Sequence, residues 1–423
     1  MLGRELVRPL EDDWRETLDA LARERHWPTS REVARLAASV VALSAAYNDA
    51  SRARAAFREA GAARLGFSFP RDVPKGAAAV RELVATGALA GAPVLRVLDI
   101  GAGLGATTWG VVRALAASGA STAVEATWID GDARALEVAS ALAQARARRR
   151  AGEDAGGSGN VALRATTMAR ALGPLDDLPR FDLVLVGQVL SELDVGVPEA
   201  VRASSHAALL GTWLERRVEP DGSLVVIEPA LRDRSRHLHR VRDALVASGA
   251  TVFAPCLHAA PCPALARETD WCHEDVPVDL PAWLVPVARA AGLRREGLTF
   301  SYVVLRKDGR RLGGAVPLAP TATRLRVVSS AMASKGKLEA FLCGEFESAG
   351  ARVVGRVRTA RLDRDAVPAN AAWDHLARGD VLRLDPAPEL DRPRVGRDGK
   401  VLASDAEDVA ALPRERGLHG ESR

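Results

Sequence analysis

Apolar positions recur at helical spacing in the first ninety residues, at Trp14, Leu18 and Leu21 and again at Val33, Leu36, Val40 and Leu43. Pro28-Thr29-Ser30 separates the two runs as a break and cap, so the pattern predicts a helical N-terminal region over 1–90. From residue 94 the rhythm changes. Short apolar runs at 94–100, 126–129, 182–186 and 223–227 alternate with helix-length stretches, which is the βαβ signature of a parallel sheet. An α/β Rossmann-like domain is expected over 91–310, closed by a strand at 299–306. Residues 152–159, rich in glycine, read as a loop inserted between a long Arg/Ala helix and the next strand. Shorter strand-like pieces at 324–329, 338–343, 352–359 and 380–384 predict a small antiparallel β module over 321–385, of oligonucleotide-binding-like type. From 386 to 423 charge, proline and glycine dominate without periodicity, the composition of a mostly disordered tail.

The strand at 94–100 runs into a glycine loop, Val97-Leu-Asp-Ile-Gly-Ala-Gly-Leu-Gly105, and then a helix. Gly101, Gly103 and Gly105 let the backbone turn tightly and approach a ligand, while the following helix offers unpaired amides. Asp99 precedes the loop, and the next strand ends in Asp130, placed to accept from two ribose hydroxyls; Asp132 is its rival. The G-x-G-x-G form behind an acidic residue resembles motif I of class I methyltransferases more than the G-x-G-x-x-G of dinucleotide enzymes, favouring S-adenosylmethionine over NAD. Phe181-Asp-Leu-Val-Leu-Val-Gly-Gln-Val-Leu-Ser-Glu-Leu193 fits the fourth strand and its exit loop, with Gln188 and Glu192 in reach of an acceptor and Glu228 at the end of the fifth strand. These three are the candidate catalytic residues. The Asn/Asp-Pro-Pro-aromatic tetrad that grips an exocyclic amine in many N-methyltransferases is missing.

All four cysteines follow this core: Cys256, Cys262, Cys272 and Cys343, with 5, 9 and 70 residues between them. The first three sit among prolines in an insertion over 251–280, and proline-restricted backbone suits chain wrapped around a metal centre. The spacing lacks the close C-x2–4-C pairs of zinc ribbons and the radical-enzyme triad, leaving both a 4Fe–4S cluster and zinc open. His258 and His273 are alternative ligands. Pro255-Cys256 is similar to the Pro-Cys nucleophile of RNA cytosine-5 methyltransferases, but there the thiols follow the fourth and fifth strands, where this chain has none.

Composition adds bounds. Hydrophobic residues make up 48% of the 423 positions and charged ones 26%, the balance of a soluble globular chain. The formal charge of +4 permits a nucleic-acid partner without arguing for one. No run approaches the roughly 20 apolar residues that cross a bilayer. The acidic first thirty residues fit neither a secretory signal nor a transit peptide. Thiols in so large a chain are expected as reduced ligands, hence a cytoplasmic protein without membrane contact. Arg324, Arg326, Lys335, Lys337, Arg352, Arg356 and Arg358 alternate along the β module, where one face is expected to follow a phosphate backbone.

The glycine loop, the segment 181–193, the cysteine block 256–273, the strand 300–307 and Lys335-Gly-Lys-Leu-Glu-Ala-Phe-Leu-Cys343 together resemble the methyltransferase-like assembly factors of the mitochondrial small ribosomal subunit and their bacterial relatives. The resemblance implies a class I methyltransferase core with an N-terminal helical cap and a C-terminal β module. It further implies a 4Fe–4S cluster on Cys256, Cys262, Cys272 and Cys343, and S-adenosylmethionine at Asp99, Gly101, Gly103 and Asp130. The implied partner is the small ribosomal subunit and its rRNA, bound by a monomer. Three functions stay in competition: an rRNA methyltransferase, a non-catalytic assembly factor on a degenerate methyltransferase fold, and a small-molecule methyltransferase with structural zinc.

Overall fold

The computed structural model describes residues 2–48, 60–89, 93–152, 161–314 and 316–404. The N-terminal region is helical, with α1 over Asp12–Glu24 and α2 over Val33–Asn48. Between them Asp19 accepts from the backbone and hydroxyl of Ser30 at 2.7 and 2.8 Å, pinning the proline break. A π-helical turn, Arg64–Ser68, leads into α3, Phe69–Ala85. The remaining helices are α4 Ala106–Ala117, α5 Ala133–Gly152, α6 Glu199–Arg217, α7 Arg232–Ala247 and α8 Val285–Ala290.

The core sheet contains β1 Val94–Ile100, β2 Ala123–Asp130, β3 Leu163–Ala169, β4 Phe181–Gly187, β5 Val218–Glu228, β6 Thr251–Ala254, β7 Glu274–Val276 and β8 Leu298–Arg306. Its order is β3-β2-β1-β4-β5-β8-β6, with β7 also on β8. Strands β1 to β5 pair in parallel, and β8 runs antiparallel to β5, β6 and β7. A parallel sheet with one reversed strand next to its edge is the class I methyltransferase architecture. Order reverses between β1 and β4, so the ligand crevice opens at their carboxyl ends.

Buried apolar side chains line both faces, as near-continuous hydrophobic strands require. One cluster joins the sheet to α3, α4 and the N-terminal helices; the other packs α6 and α7 on the opposite face. The N-terminal region is therefore part of the core. Trp14 meets Trp109 edge-on at 4.9 Å, and the Arg146 guanidinium lies 4.1 Å over the Trp14 ring. Gly76 of α3 and Gly110 of α4 bring the two helices into backbone contact, since a Cβ on Gly110 would lie 2.5 Å from the Val73 carbonyl oxygen.

The β module has its own core around Leu342, Phe346 and Trp373. Its strands are β9 Thr323–Val327, β10 Met332–Ser334, β11 Lys337–Ser348, β12 Ala351–Leu362, β13 Val381–Asp385, β14 Arg394–Val395 and β15 Lys400–Ala403, in the order β14-β12-β11-β9-β13-β15 with β10 on β11. The β11–β12 hairpin turns through Ala349 and Gly350, both at positive φ, as a two-residue hairpin loop demands. The expected disordered tail is corrected in its first part. Beyond 386 the chain adds β14 and β15, because Val395 and Val401 are buried in the module's core. Residues 405–423, and 153–159 of the expected loop, lie outside the described residues.

Helix, sheet and module are joined by a buried charge network. Glu82 of α3 accepts from Arg326 of β9 at 2.5 Å and from the Tyr302 hydroxyl of β8 at 2.9 Å. Arg81 donates to Glu274 of β7 at 2.6 Å. All five side chains are buried.

Candidate cofactor and cysteine site

The glycine loop emerges from the centre of the sheet. Gly101, Gly103 and Gly105 have φ of 69°, 54° and 75°, a region that L side chains avoid. A Cβ at Gly101 would meet Val189 at 2.4 Å and one at Gly105 would meet Trp128 at 2.8 Å, so both positions are closed to larger residues. Asp130 accepts from the backbone N–H of Gly103 and of Asp132, each at 2.8 Å, which fixes the loop against β2. Asp99 lies buried beneath the loop, where it accepts from the Thr108 hydroxyl at 2.7 Å and Thr108 in turn accepts from the Trp128 indole at 3.0 Å.

The three candidate catalytic residues gather after β4 and β5. Gln188 sits at φ 61° and donates its backbone N–H to Ile227 at 2.7 Å. Glu228 is buried and accepts from the backbone of Leu190 and Ser191 at 2.9 and 3.2 Å, with Glu192 close enough to raise its pKa. The Glu228 carboxyl thus anchors the loop after β4.

Burial pushes Asp99 and Glu228 each up to about 7. The native state then holds protons that the unfolded chain has released from about pH 4 upward. Each group's contribution falls as pH rises through this window and is at its least favourable above 7. Asp99→Asn is therefore expected to flatten the decline in urea stability between pH 4 and 8, by on the order of a few kcal/mol across the window. Identical slopes in variant and wild type would remove this account of Asp99.

The cysteines converge on the seam between the sheet and the β module. Arg236 donates to the carbonyls of Ala264, Arg267 and Asp270 at 3.1, 2.6 and 2.6 Å, and Arg242 to those of His258 and Ala260 at 2.6 Å each. Two arginines of α7 thereby lace the cysteine loop to the core. Asp243 accepts from the Cys262 backbone at 2.9 Å, and His239 contacts the Cys272 carbonyl at 2.9 Å. Cys343 arrives from β11 with its sulfur 3.7 Å from His258 Nε2. Burial raises the Cys262, Cys272 and Cys343 thiols, Cys272 to about 11, and the neighbouring thiols raise each of them further. The structure thus brings the four free cysteines within electrostatic reach of one another. Among the described residues no group of three or more His, Cys, Asp or Glu is closed tightly enough to hold a single metal ion. Of the two histidine candidates, His258 is buried against the Ala260 carbonyl and His273 stacks on Trp271.

The expected phosphate-facing stripe is corrected. Arg326 is buried on Glu82, Arg324 donates to the carbonyls of Gly313 and Val316, and Arg356 pairs with Asp270. Arg358 and Lys337 share Glu339, and Arg352 lies 3.6 Å from Glu347. The β11–β12 hairpin places acidic partners across from Arg358 and Arg352, tertiary contacts engage Arg324, Arg326 and Arg356, and of the seven only Lys335 has no partner among the described residues.

Two features escaped the sequence reading. His206 Nδ1 and His237 Nε2 meet at 2.8 Å in the α6–α7 packing, flanked by Asp194 at 3.3 Å and Glu199 at 2.9 Å. Arg64, from the π turn, reaches over the glycine loop. Neither lies in a motif, and the 31 residues separating the histidines leave no local signal.

The family model of Rsm22, mitochondrial small ribosomal subunit, matches residues 91–376. The chain belongs to the Rsm22 family. The Rsm22 match takes in the whole core sheet, all four cysteines and β9 to β12, and leaves α1 to α3 outside. No curated protein matches the sequence. Among solved structures, a precorrin-6y C5,15-methyltransferase from Geobacter metallireducens is 16% identical, with 54% of this chain and 87% of that one covered at a TM-score of 0.30. The plantazolicin methyltransferase BpumL in complex with SAH is 10% identical over 65% and 98%, at 0.33. A SAM-dependent methyltransferase from Agrobacterium tumefaciens is 12% identical over 56% and 62%, at 0.31. Likeness this remote says nothing of activity, and the fold rests on the strand order itself. No helix among the described residues is long and apolar enough to cross a membrane.

Proposed function

We propose that this chain is a factor of the small ribosomal subunit that holds S-adenosylmethionine on its glycine loop and a 4Fe–4S cluster on Cys256, Cys262, Cys272 and Cys343. The observation that carries the reading is the meeting of four thiols between the methyltransferase sheet and the β module of an Rsm22-family chain. The cluster fits the donor set. The raised thiols of Cys262, Cys272 and Cys343 disfavour thiolate unless a cationic centre supplies the charge, and a cubane spaces its thiolates more widely than one zinc ion does. Arg242, Arg356 and Arg378 stand close enough to offset the negative charge of such a centre. When bound, the cluster ties β11 to the loop after β6; the chain's own residues position the four sulfurs. Free thiols suit a reducing compartment, with cytoplasm the simplest reading.

Partner and cofactor follow from the same frame. The family's description supports the small subunit as partner, with rRNA approached through the exposed Arg392, Arg394, Arg397 and Lys400 around β14 and β15. One observation favours an assembly or translation role over methyl transfer: Glu228, one of the three candidate catalytic residues, spends its carboxylate on the backbone of the loop after β4 rather than on an acceptor.

The test is anaerobic purification with iron, sulfide and zinc analysis of wild type and Cys262→Ser, followed by gradient sedimentation with small subunits. About four irons and four sulfides per chain, lost in the variant, with co-sedimentation, is the expected result. Stoichiometric zinc without sulfide would overturn the cluster, and failure to co-sediment would overturn the partner. Unchanged rRNA modification in a deletion strain separates the assembly role from catalysis.

A further inference from the structure

We infer that Arg64, outside the methyltransferase core, is the clasp for the carboxylate of the bound cofactor's amino-acid end. This rests on the reading that the glycine loop holds S-adenosylmethionine. That ligand carries a carboxylate as well as a ribose and a base, and a carboxylate that stays ionised in a sheltered site needs a cation or several hydrogen-bond donors. The segments that frame the crevice, 97–112, 126–132 and 181–199, contain neither lysine nor arginine. Arg113, the next cation along α4, is committed to Glu11.

Arg64 fills the gap from outside. Its Nη2 lies 2.9 Å from the place where a Cβ on Gly103 would stand, so the guanidinium rests directly against the buried middle glycine of the loop. Its Nη1 donates to Asp132 at 3.1 Å, and its side chain stays 19% exposed, sheltered yet reachable. Asp132 does not depend on that bond. It also accepts from the backbone of Arg134 and Ala135 at the start of α5, at 3.1 and 3.3 Å, so the guanidinium is free to share itself with a second carboxylate.

The surrounding fold holds Arg64 there. It opens a π turn, a conformation that recurs at functional sites. Buried Leu65 and Phe67 anchor the turn, and Gly66 packs on Leu36 of α2. A planar guanidinium matches a carboxylate with two parallel hydrogen bonds, which lysine does not reproduce.

Truncating the ligand tests the clasp. Titration calorimetry would compare S-adenosylhomocysteine with 5′-methylthioadenosine, which keeps the nucleoside and lacks the amino acid, on wild type, Arg64→Ala and Arg64→Lys. Arg64→Ala is expected to weaken S-adenosylhomocysteine about 10- to 100-fold while moving 5′-methylthioadenosine less than about twofold, with Arg64→Lys between. Equal weakening of both ligands would mean that Arg64 only supports the loop, and unchanged or tighter S-adenosylhomocysteine binding would make it a bystander or a plug; either result overturns the clasp. Binding of neither ligand by wild type would remove the cofactor reading and the clasp with it. A thermal unfolding curve for each variant separates lost affinity from lost fold.

Discussion

Glu82→Ala is expected to destabilise the joint between the N-terminal helix, the core sheet and the β module by about 3–5 kcal/mol, the usual cost of removing one partner from a buried ion pair. Arg326 would keep the carbonyls of Gly379 and Pro255 at 2.8 and 3.0 Å but lose its only carboxylate, and its Nη2 already has no partner. Tyr302 would lose its acceptor as well. Arg81 retains Glu274, so the damage should concentrate on the Arg326 side, where β9 meets the sheet. The loss should appear in urea unfolding and as early proteolysis around 307–322, between the core and the module. The double variant Glu82→Leu with Arg326→Met should recover much of it, because apolar replacement of a buried pair is often near neutral. If Glu82→Ala unfolds with wild type, or the double variant is as damaged as the single one, the network is not what joins the three parts.

That network also marks where sequence reading stops. Glu82 and Arg326 stand 244 residues apart, and neither occupies a motif; a helix-interior glutamate and a strand arginine look like solvated surface until tertiary structure buries them. The glycine loop was legible because its chemistry is local: strand, three glycines at positive φ and helix follow within a dozen residues. The parallel strands β1, β2, β4 and β5 were legible in the same way, from apolar runs at α/β spacing, whereas their order in the sheet is a tertiary feature. The cysteines were legible as a set because they have no competitors in the chain, although spacing alone says nothing of the α7 arginines that bind their loop. The basic stripe misled for the opposite reason. Its alternation is real, but Glu339 and Glu347 lie beside it in the β11–β12 register, and a linear pattern of cations does not reveal partners across a hairpin. The first part of the tail, up to 404, was misread because two buried valines, Val395 and Val401, decide its order amid polar sequence.

Gly110→Ala should be strongly destabilising, although alanine is the better helix former by about 1 kcal/mol. A Cβ on Gly110 would lie 2.5 Å from the Ala77 nitrogen and the Val73 oxygen and 2.7 Å from the Gly76 carbonyl carbon. All of these are backbone atoms, which cannot rotate aside as a side chain can. Relief requires α3 to move away from α4 as a body, and we expect a loss of about 3 kcal/mol or more, at or beyond the upper end of overpacking costs. Gly211→Ala in α6 is the internal control. There the nearest atom would be the Leu245 Cδ2 at 3.6 Å, an ordinary contact, so the same substitution should be neutral or stabilising by up to about 1 kcal/mol. The two variants share residue, helix context and chemistry, and their difference isolates the backbone contact. Displacing α3 also moves Glu82, which it carries, and the π turn just before it, which carries Arg64. Gly110→Ala should therefore weaken the hold on the β module and on the glycine loop together, read as proteolysis between core and module and as lost S-adenosylhomocysteine affinity. If Gly110→Ala matched Gly211→Ala in stability, α3 would be free to yield, and the backbone contact of α3 with α4 would not be what fixes the N-terminal region on the core.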